Sequence, residues 1–444
     1  MDSSWYFFRF LDPKNETALL SPEKANNGMP VDLYVGGVEH AILHLLYARF
    51  ISKFLATTSV WPKGSLANGE PFKRLITQGM VHGETFTDPG NGRFLRPDEV
   101  DLSNPAKPII IATGVTPNIS YEKMSKSKHN GVDPGATIAK YGADATRAHM
   151  LFQAPVGDVL EWDEKKITGV QRWLHRLIRL STALEVDGAK LSKRPDEKLP
   201  SILQQLSAEH ALKPAQSDEK LIASLTQEEA KLWTKTQETI ASVTESYSQT
   251  YALNTIISDL MILTNIIWDT PDISTITPYL KWYATSHLIR MVAPIAPGVA
   301  EEAWHLLTNN DTQDTVKTTI FATGFPTADL AILPTLSHTQ KCVVQVDGKR
   351  KFEVDIQKLP DTMNSKDIKA VSKWVLEQLV NTEEGKEWLG KDKGKVWKTT
   401  QSAQPHPVYG IVPDDWKVIA VNGGALCNLV GPKKGKRSEG GKAT

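Results

Sequence analysis

A short apolar run, a glycine pair and an amphipathic segment follow one another at residues 31–54, and this succession narrows the possible folds most. Val31-Asp32-Leu33-Tyr34-Val35 reads as a buried strand. Gly36-Gly37 breaks it. From Val38 to Phe54, Ile42, Leu45, Leu46, Arg49 and Phe50 recur at three and four, the spacing of a helix. Strand, glycine turn and helix form the repeating unit of α/β sheets, whose ligands lie at the carboxyl ends of the strands. Leu75 to Val81 reads as a second short strand and Ile109-Ile110-Ile111 as a third. Asp133-Pro134 marks a helix start, with aspartate as N-cap and proline in the first turn, and helical spacing continues through Leu151. Residues 1–158 are therefore expected to be an α/β region.

The period then changes. Residues 159–308 are almost wholly helical in pattern. Ile167, Val170, Leu174, Leu177, Ile178 and Leu184 form one apolar stripe, and Arg172, Arg176 and Arg179 form a basic face on the same helix. Leu221–Thr250, Leu253–Trp268, Tyr279–Met291 and Gly298–Leu307 follow as further helices, and an antiparallel bundle is expected over 159–310. Asn309–Thr319 is polar and reads as a loop, and Pro326 and Pro334 bracket a second one, so 311–339 reads as a linker. Over 340–430, Cys342–Val346, Asp347-Gly348 and Lys349–Ile356 read as a β-hairpin. Lys366–Val380 reads as an amphipathic helix, and Trp416–Val421 and Ala425–Val430 as closing strands of a small α+β domain. Residues 431–444 are a basic, glycine-rich tail expected to be disordered. A chain of 444 residues is too long for one compact domain, in keeping with this division.

Charge excludes one simple reading. Lys+Arg and Asp+Glu balance at 51 each, so any nucleic-acid contact must come from a local basic surface such as the Arg172 face. The two cysteines, Cys342 and Cys427, have no metal-ligand spacing and make no disulfide framework, which fits a reducing compartment. No apolar run has the length of a membrane span. Apolar and aromatic residues start at once, so no signal or transit peptide is expected ahead of Trp5.

Four short patterns carry chemistry. Lys123-Met124-Ser125-Lys126-Ser127 lies in a polar stretch with Lys128, and ammonium and hydroxyl groups on one loop can meet phosphate charge that develops in a transfer reaction. A solvated basic loop is the bland alternative, but the order is too specific for a chance charge run. Gly36-Gly37-Val38-Glu39-His40 lets a backbone approach a ligand closely, with Glu39 to accept from ribose hydroxyls and His40 to donate to a carbonyl or carboxylate. A plain strand–helix turn would use the same two glycines. His40 and His44 have the i, i+4 spacing of metal ligands, but no third ligand is placed and no metal site is expected. Asp2-Ser3-Ser4-Trp5-Tyr6 sets small hydroxyl residues beside aromatics that could line an apolar pocket. Gln78-Gly79-Met80-Val81 offers a glycine whose open main chain could receive a flat ring.

Together, in this order, the four patterns resemble the leucyl-tRNA synthetases, class I aminoacyl-tRNA ligases, in their bacterial and mitochondrial form. Tyr141-Gly142-Ala143-Asp144 and Leu160-Glu161-Trp162 match the stretch downstream of the lysine–serine signature there. Leu253-Asn254-Thr255, Ala293-Pro294-Ile295-Ala296-Pro297 and Glu301-Glu302-Ala303-Trp304 resemble the family's tRNA-binding helices. The resemblance covers residues 1 to about 310 and, more loosely, 340–430. It implies a partial Rossmann-like catalytic half, the helix bundle and the small α+β domain. It implies ATP as substrate, with Mg2+ and no tightly bound cofactor, and leucine and tRNA(Leu) as the other partners. Lys126, helped by Lys123, Ser125 and Ser127, would neutralise the ATP phosphates, and Met124 would anchor the loop. Gly36, Gly37 and Glu39 would hold the ribose, and Gln78, Gly79 and Met80 would lie along the adenine. Ser3, Tyr6 and His40 would border leucine, and Arg172, Arg176 and Arg179 would contact RNA phosphates.

The sequence also departs from the family. It has no His-x-Gly-His motif and no editing insertion, so the chain is expected to be a carboxyl-terminal portion whose partner is the missing first half. Half a Rossmann sheet would leave a strand edge and apolar surface open. The segment Arg93–Asp101 and the residues after the signature resemble the mitochondrial form, which implies the matrix; a bacterial source would imply the cytoplasm. A non-catalytic RNA-binding module and a sister synthetase for another apolar amino acid are the alternatives.

Overall fold

The glycine pair lies inside its strand rather than after it. In the computed structural model, which describes residues 2–104, 106–184, 198–209, 218–308, 319–336, 339–359, 363–389 and 416–431, β1 runs Tyr34–Gly37 and pairs in parallel with β2, Leu75–Gln78. The strand expected at Val31–Val35 thus begins three residues later, and Val31 makes only an isolated bridge to Phe72. It is also not buried: Val35 is exposed. Its apolar character is used differently, since Tyr34 stacks on Phe72 at 3.9 Å while Asp32 turns outward to an ion pair with Lys73.

The described chain divides into two compact units, Met1–Ala215 with Lys235–Leu330 and Gln216–Thr234 with Ala331–Thr444. The first opens with a single turn, α1 (Tyr6–Arg9), and α2 (Pro22–Gly28), whose first turn is capped by the Ser21 hydroxyl. After β1 and a 3-10 turn at Val38–His40 comes α3 (Leu43–Leu55), which buries Ala48, Ser52 and Leu55 against Phe7, Phe8 and Trp61. The apolar positions read at helical spacing lie largely on its open face. Ile42 is 77% and Phe50 69% exposed, with Leu46 and Phe54 beside them. Small residues meet the packed side because the backbone sits close there, as the Ser52 hydroxyl donating to Gly69 O at 2.8 Å shows.

The strand expected from Leu75 to Val81 is two strands. β3 (Val81–Thr87) begins after a break at Gly79-Met80 and pairs antiparallel with β6 (Asn118–Lys123) and parallel with β7 (Leu160–Glu161). Between them, β4 (Val100–Asp101) and β5 (Ile109–Ile110) form a ribbon over Phe86 and Leu95. Asp133 caps α4 (Pro134–Tyr141) by accepting from Ala136 N at 2.7 Å. The helix expected through Leu151 breaks at Gly142, whose φ of +88° suits glycine, and resumes as α5 (Ala143–Gln153).

Helical packing takes over from α6 (Ile167–Ala183), which buries Ile167, Val170, Leu174 and Leu177 of the expected stripe. Then come α7 (Leu199–Glu209), α8 (Asp218–Ala223), α9 (Gln227–Glu245), α10 (Leu253–Asp269), α11 (Thr277–Val292) and α12 (Pro297–Thr308). α8 and α9 replace one expected helix, because Thr226 and Glu229 form a reciprocal cap between them. In the first unit α6 packs on α10, α11 and α12, and α5 packs on α10 and α6. α11 is buried at fourteen of its sixteen residues, which include Lys281, ion-paired to Asp272, and Arg290, donating to the Gly324 and Thr323 carbonyls. Arg147 of α5 donates to the carbonyls of Ile295 and Pro294, and Asp144 accepts from Val299 N at the start of α12. The segment expected as a linker contains buried Ile320, Ile332 and Leu336; the polar loop before it lies outside the described residues except for Thr319.

In the second unit α13 (Leu333–Leu336) packs on α8. β8 (Thr339–Val346) and β9 (Lys349–Gln357) form the expected hairpin, with Asp347 and Gly348 both at positive φ as a two-residue turn requires. α14 (Ile368–Leu379), α15 (Glu383–Leu389), β10 (Lys417–Val421) and β11 (Leu426–Val430) complete it. The strand order is β10-β11-β8-β9, with β11 parallel to β8. Val371, Val375, Leu376 and Leu379 of α14 cover one face, over Cys342, Val344, Val418, Cys427 and Leu429. Both thiols are buried, and burial raises their pKa. Of the expected tail only Gly431 is described.

Candidate functional site

The parallel pairing of β1 with β2 sets Gly36 opposite Thr77 and Gly37 opposite Gln78, at the carboxyl ends of both strands. A Cβ built on Gly36 would meet nothing within 4 Å, so this backbone faces open space. Gly37 has φ −63°, which any residue adopts, and a Cβ there would meet Glu39 and His40 only at 3.8 Å, so the local backbone does not itself require its glycine. Beside it lies an open cleft of about 450 Å³ whose lining includes Ser3, Tyr6, Gly36, Gly37, His40 and His44. Ser3 and His40 are exposed; Tyr6 is half-buried. The Tyr6 hydroxyl meets the Tyr34 hydroxyl at 2.8 Å, and that hydroxyl meets His44 Nε2 at 2.7 Å. Burial raises the Tyr34 pKa, which keeps the phenol protonated. Tyr34 and His44 were not expected as site residues. Their only sequence signal was the i, i+4 spacing of His44 from His40.

The lysine–serine loop leaves the end of β6. Met124 N donates to Val81 O at 3.0 Å, which ties the loop to the start of β3. Its three lysines differ. Lys123 is ion-paired to Glu39, Lys128 to Glu122, and Lys128 also lies over the Phe94 ring at 5.6 Å. Among the described residues Lys126 has no ion-pair partner. The paired lysines hold the Glu39 and Glu122 carboxyls below the usual carboxylate range. Ser125 and Ser127 are linked through their hydroxyls at 3.2 Å. The Lys123–Glu39 pair joins the loop to the glycine turn, so two constellations far apart in sequence meet at one place.

The third constellation departs from expectation. Gln78 is exposed beside Gly37, but a Cβ on Gly79 would lie 1.7 Å from the Asp158 carbonyl oxygen. Gly79 N also donates to Val156 O at 2.8 Å, and Leu160 N to Met80 O at 2.9 Å. This glycine is required by the backbone of residues 156–158, and that side of its main chain is closed to a ring. The arginine face on α6 is also uneven. Arg172 is exposed and, among the described residues, bonds only to its own helix, at Thr168 O; Arg176 donates to Asn265 Oδ1, and Arg179 lies over Trp268 at 5.3 Å.

Among the described residues no group of three or more His, Cys, Asp or Glu side chains is placed to hold a metal ion. No helix among them is long and apolar enough to cross a membrane.

Two family models match the chain: class I tRNA synthetases (I, L, M and V) over residues 99–163, and the anticodon-binding domain of tRNA ligase over residues 229–365. The mitochondrial leucine–tRNA ligases of Saccharomyces paradoxus and Saccharomyces cerevisiae are each 38% identical over 401 residues, 89% of this chain and 40% of theirs. The leucine–tRNA ligase of Parasynechococcus marenigrum is 38% identical over 363 residues, 81% of this chain and 37% of its own. The chain thus spans about 40% of the length of the curated relatives it matches. Its fold is that of the crystal structure of the Agrobacterium radiobacter K84 agnB2 LeuRS-tRNA-LeuAMS ternary complex, with a TM-score of 0.58, 22% identity and coverage of 97% of this chain and 41% of that one. The chain is therefore a homologue of the leucine–tRNA ligases, matched to them over most of its own length and under half of theirs.

Proposed function

We propose that this chain carries the phosphate clamp and the tRNA-binding part of a leucine–tRNA ligase, which activates leucine with ATP to leucyl-adenylate and transfers it to tRNA(Leu). The observation that carries the reading is the Lys123–Glu39 ion pair, which joins the lysine–serine loop to the open glycine turn beside the cleft. Residues 1–158 act as the second half of a Rossmann-like catalytic domain, 159–310 as an antiparallel tRNA-binding bundle, 311–339 as a linker, 340–430 as a small C-terminal domain and 431–444 as a basic tail.

Within this reading Lys126 supplies the spare positive charge. Charge builds on the leaving pyrophosphate as the leucine carboxylate attacks the α-phosphorus, and a fixed ammonium lowers that barrier without a covalent enzyme intermediate. Lys123, Ser125 and Ser127 add donors, and Met124 packs the loop. Gly36, Gly37 and Glu39 meet the ribose, Gln78 and Met80 flank the adenine, and Gly79 sets their position. Ser3, Tyr6 and His40 border leucine. Mg2+ keeps several waters and is usually carried by substrate phosphates. The described side chains provide no cluster of their own for it, and no step here is assigned to it. Arg172 is the best placed of the three arginines for an RNA phosphate, since Arg176 and Arg179 are engaged by α10. The match to an anticodon-binding domain supports the RNA partner. The yeast mitochondrial relatives support the mitochondrial matrix as the location, tested by fractionation of tagged protein.

The exposed stripe of α3 and the two-stranded β1–β2 sheet favour a second polypeptide, bearing the His-x-Gly-His half, as a partner. The test is leucine-dependent ATP–pyrophosphate exchange by the chain alone and with that polypeptide added. Exchange in either arm, lost in Lys126→Ala and driven by leucine over isoleucine, valine and methionine, is the expected result. tRNA binding with no exchange in either arm would leave an RNA-binding module instead.

A further inference from the structure

The lysine–serine loop is held by a residue outside the five-residue signature. Asn130 is only 7% exposed, although it follows the polar run Lys126-Ser127-Lys128-His129. Its carboxamide is satisfied on both sides. Oδ1 accepts from Ser125 N at 2.9 Å, and Nδ2 donates to Thr85 Oγ1 at 2.8 Å, to Glu122 O at 3.0 Å and to Lys123 O at 3.3 Å. Thr85, itself buried, donates a hydrogen bond from its own hydroxyl to Gly83 O at 2.9 Å. The Asn130 backbone is pressed onto β3 as well, since a Cβ on Gly83 would lie 2.3 Å from Asn130 O. His129, at φ +55°, makes the reversal that brings residue 130 back under residue 125.

We propose that Asn130 is the positioning residue of this loop, fixing the backbone of residues 122–125 to Thr85 of β3 so that Lys126 is presented to the phosphates of a nucleoside triphosphate. A carboxamide suits this task because it combines one acceptor with two donors in a rigid plane, and here all of them go to the main chain of the loop or to its support. Lys123 and Lys128 are fixed by Glu39 and Glu122 at the two ends of the loop. Asn130 fixes the backbone between them. The free ammonium of Lys126 is thereby held on a short tether and its approach to an anion costs little chain entropy. The presentation to phosphate rests on the function proposed above; the anchoring does not.

The experiment separates the two. In the full chain without ligand, amide hydrogen exchange at Ser125 reads the anchor. Asn130→Ala and Thr85→Val are expected to speed it about tenfold, Thr85→Ser to leave it within about twofold, and exchange in α5 and α6 to stay unchanged. Acylation of Lys126, followed by mass spectrometry with and without ATP, reads the presentation. ATP is expected to protect Lys126 in the wild type and in Thr85→Ser, and to lose that protection in Asn130→Ala at ATP concentrations that saturate the wild type. Unchanged Ser125 exchange in Asn130→Ala refutes the anchor. Faster exchange with ATP protection intact refutes the presentation. Absence of ATP protection in the wild type refutes the nucleotide reading itself, and the anchor is then decided by exchange alone.

Discussion

Replacement of Gly79 by alanine separates two reasons for a glycine at that position. A Cβ there would lie 1.7 Å from Asp158 O and 2.3 Å from its carbonyl carbon. Real Cβ contacts essentially never fall below 3.0 Å, so the backbone of residues 156–158 must retreat by at least 3.0 − 1.7 = 1.3 Å. That distance is enough to break the bonds from Gly79 N to Val156 O and from Leu160 N to Met80 O, at 2.8 and 2.9 Å. Each broken bond costs about 1 kcal/mol net, and the forced shift adds about 1–3 kcal/mol. The expected loss for Gly79→Ala is therefore about 3–5 kcal/mol, read by urea unfolding and by faster amide exchange at Leu160. Gly36→Ala is the control: its Cβ enters open space, so stability should stay within about 0.5 kcal/mol of wild type while ATP binding weakens. A Gly79→Ala protein as stable as the wild type, with weakened ATP binding, would refute the packing argument and restore a direct contact between that glycine and the nucleotide.

Lys126→Ala should lower exchange activity by about a hundredfold or more, as loss of a charge aimed at a transition state does, whereas Lys128→Ala, whose ammonium is already paired with Glu122, should cost less. The Asp12 carboxylate is held down to about 2, first by its hydrogen bond from Lys24 and then by those from Asn15 and Ser21. Its stabilisation is complete above the ordinary carboxyl pKa of about 4 and is lost as pH falls towards 2. Asp12→Asn should therefore destabilise at neutral pH, and the difference from wild type should vanish across that window in unfolding experiments. Arg172→Ala should lower the salt slope of tRNA binding by about one while leaving stability within about 0.5 kcal/mol. Arg179→Ala should instead cost about 0.5–1 kcal/mol of stability through loss of its contact with Trp268.

The features legible in the sequence were those set by neighbours along the chain. The Asp133 cap, the Asp347-Gly348 turn and the buried stripe of α6 all lie where local chemistry put them. What the sequence misplaced depended on distant backbone. The apolar run at Val31–Val35 looked like a core strand, but among the described residues β1 pairs only with β2, and Tyr34 stacks on Phe72. The helical period of Ile42 to Phe50 was right about the helix and silent about which face is covered. Gly79 looked like an open surface because nothing in the sequence marks the return of residues 156–158. The site was partly legible: the loop and the glycine turn were evident as patterns, but their junction through Lys123 and Glu39 spans 84 positions and is a tertiary fact. Asn130 was visible only as one polar residue among several after the signature, and its role emerged from its four hydrogen bonds.

The strand order β10-β11-β8-β9 has a consequence for synthesis. β8 can close its hairpin with β9 as soon as both leave the ribosome, but its other edge pairs only with β11, and Leu426 follows Val346 by 426 − 346 = 80 residues. At about 5–20 residues per second that edge stays open for about 4–16 seconds on every nascent chain. An open edge is a template for any other strand. Its lysine, Lys341, and the lysine-rich start of β9 give that interval some electrostatic protection. The four-stranded sheet of the second unit is thus completed only once β11 has been made and the waiting hairpin captures it.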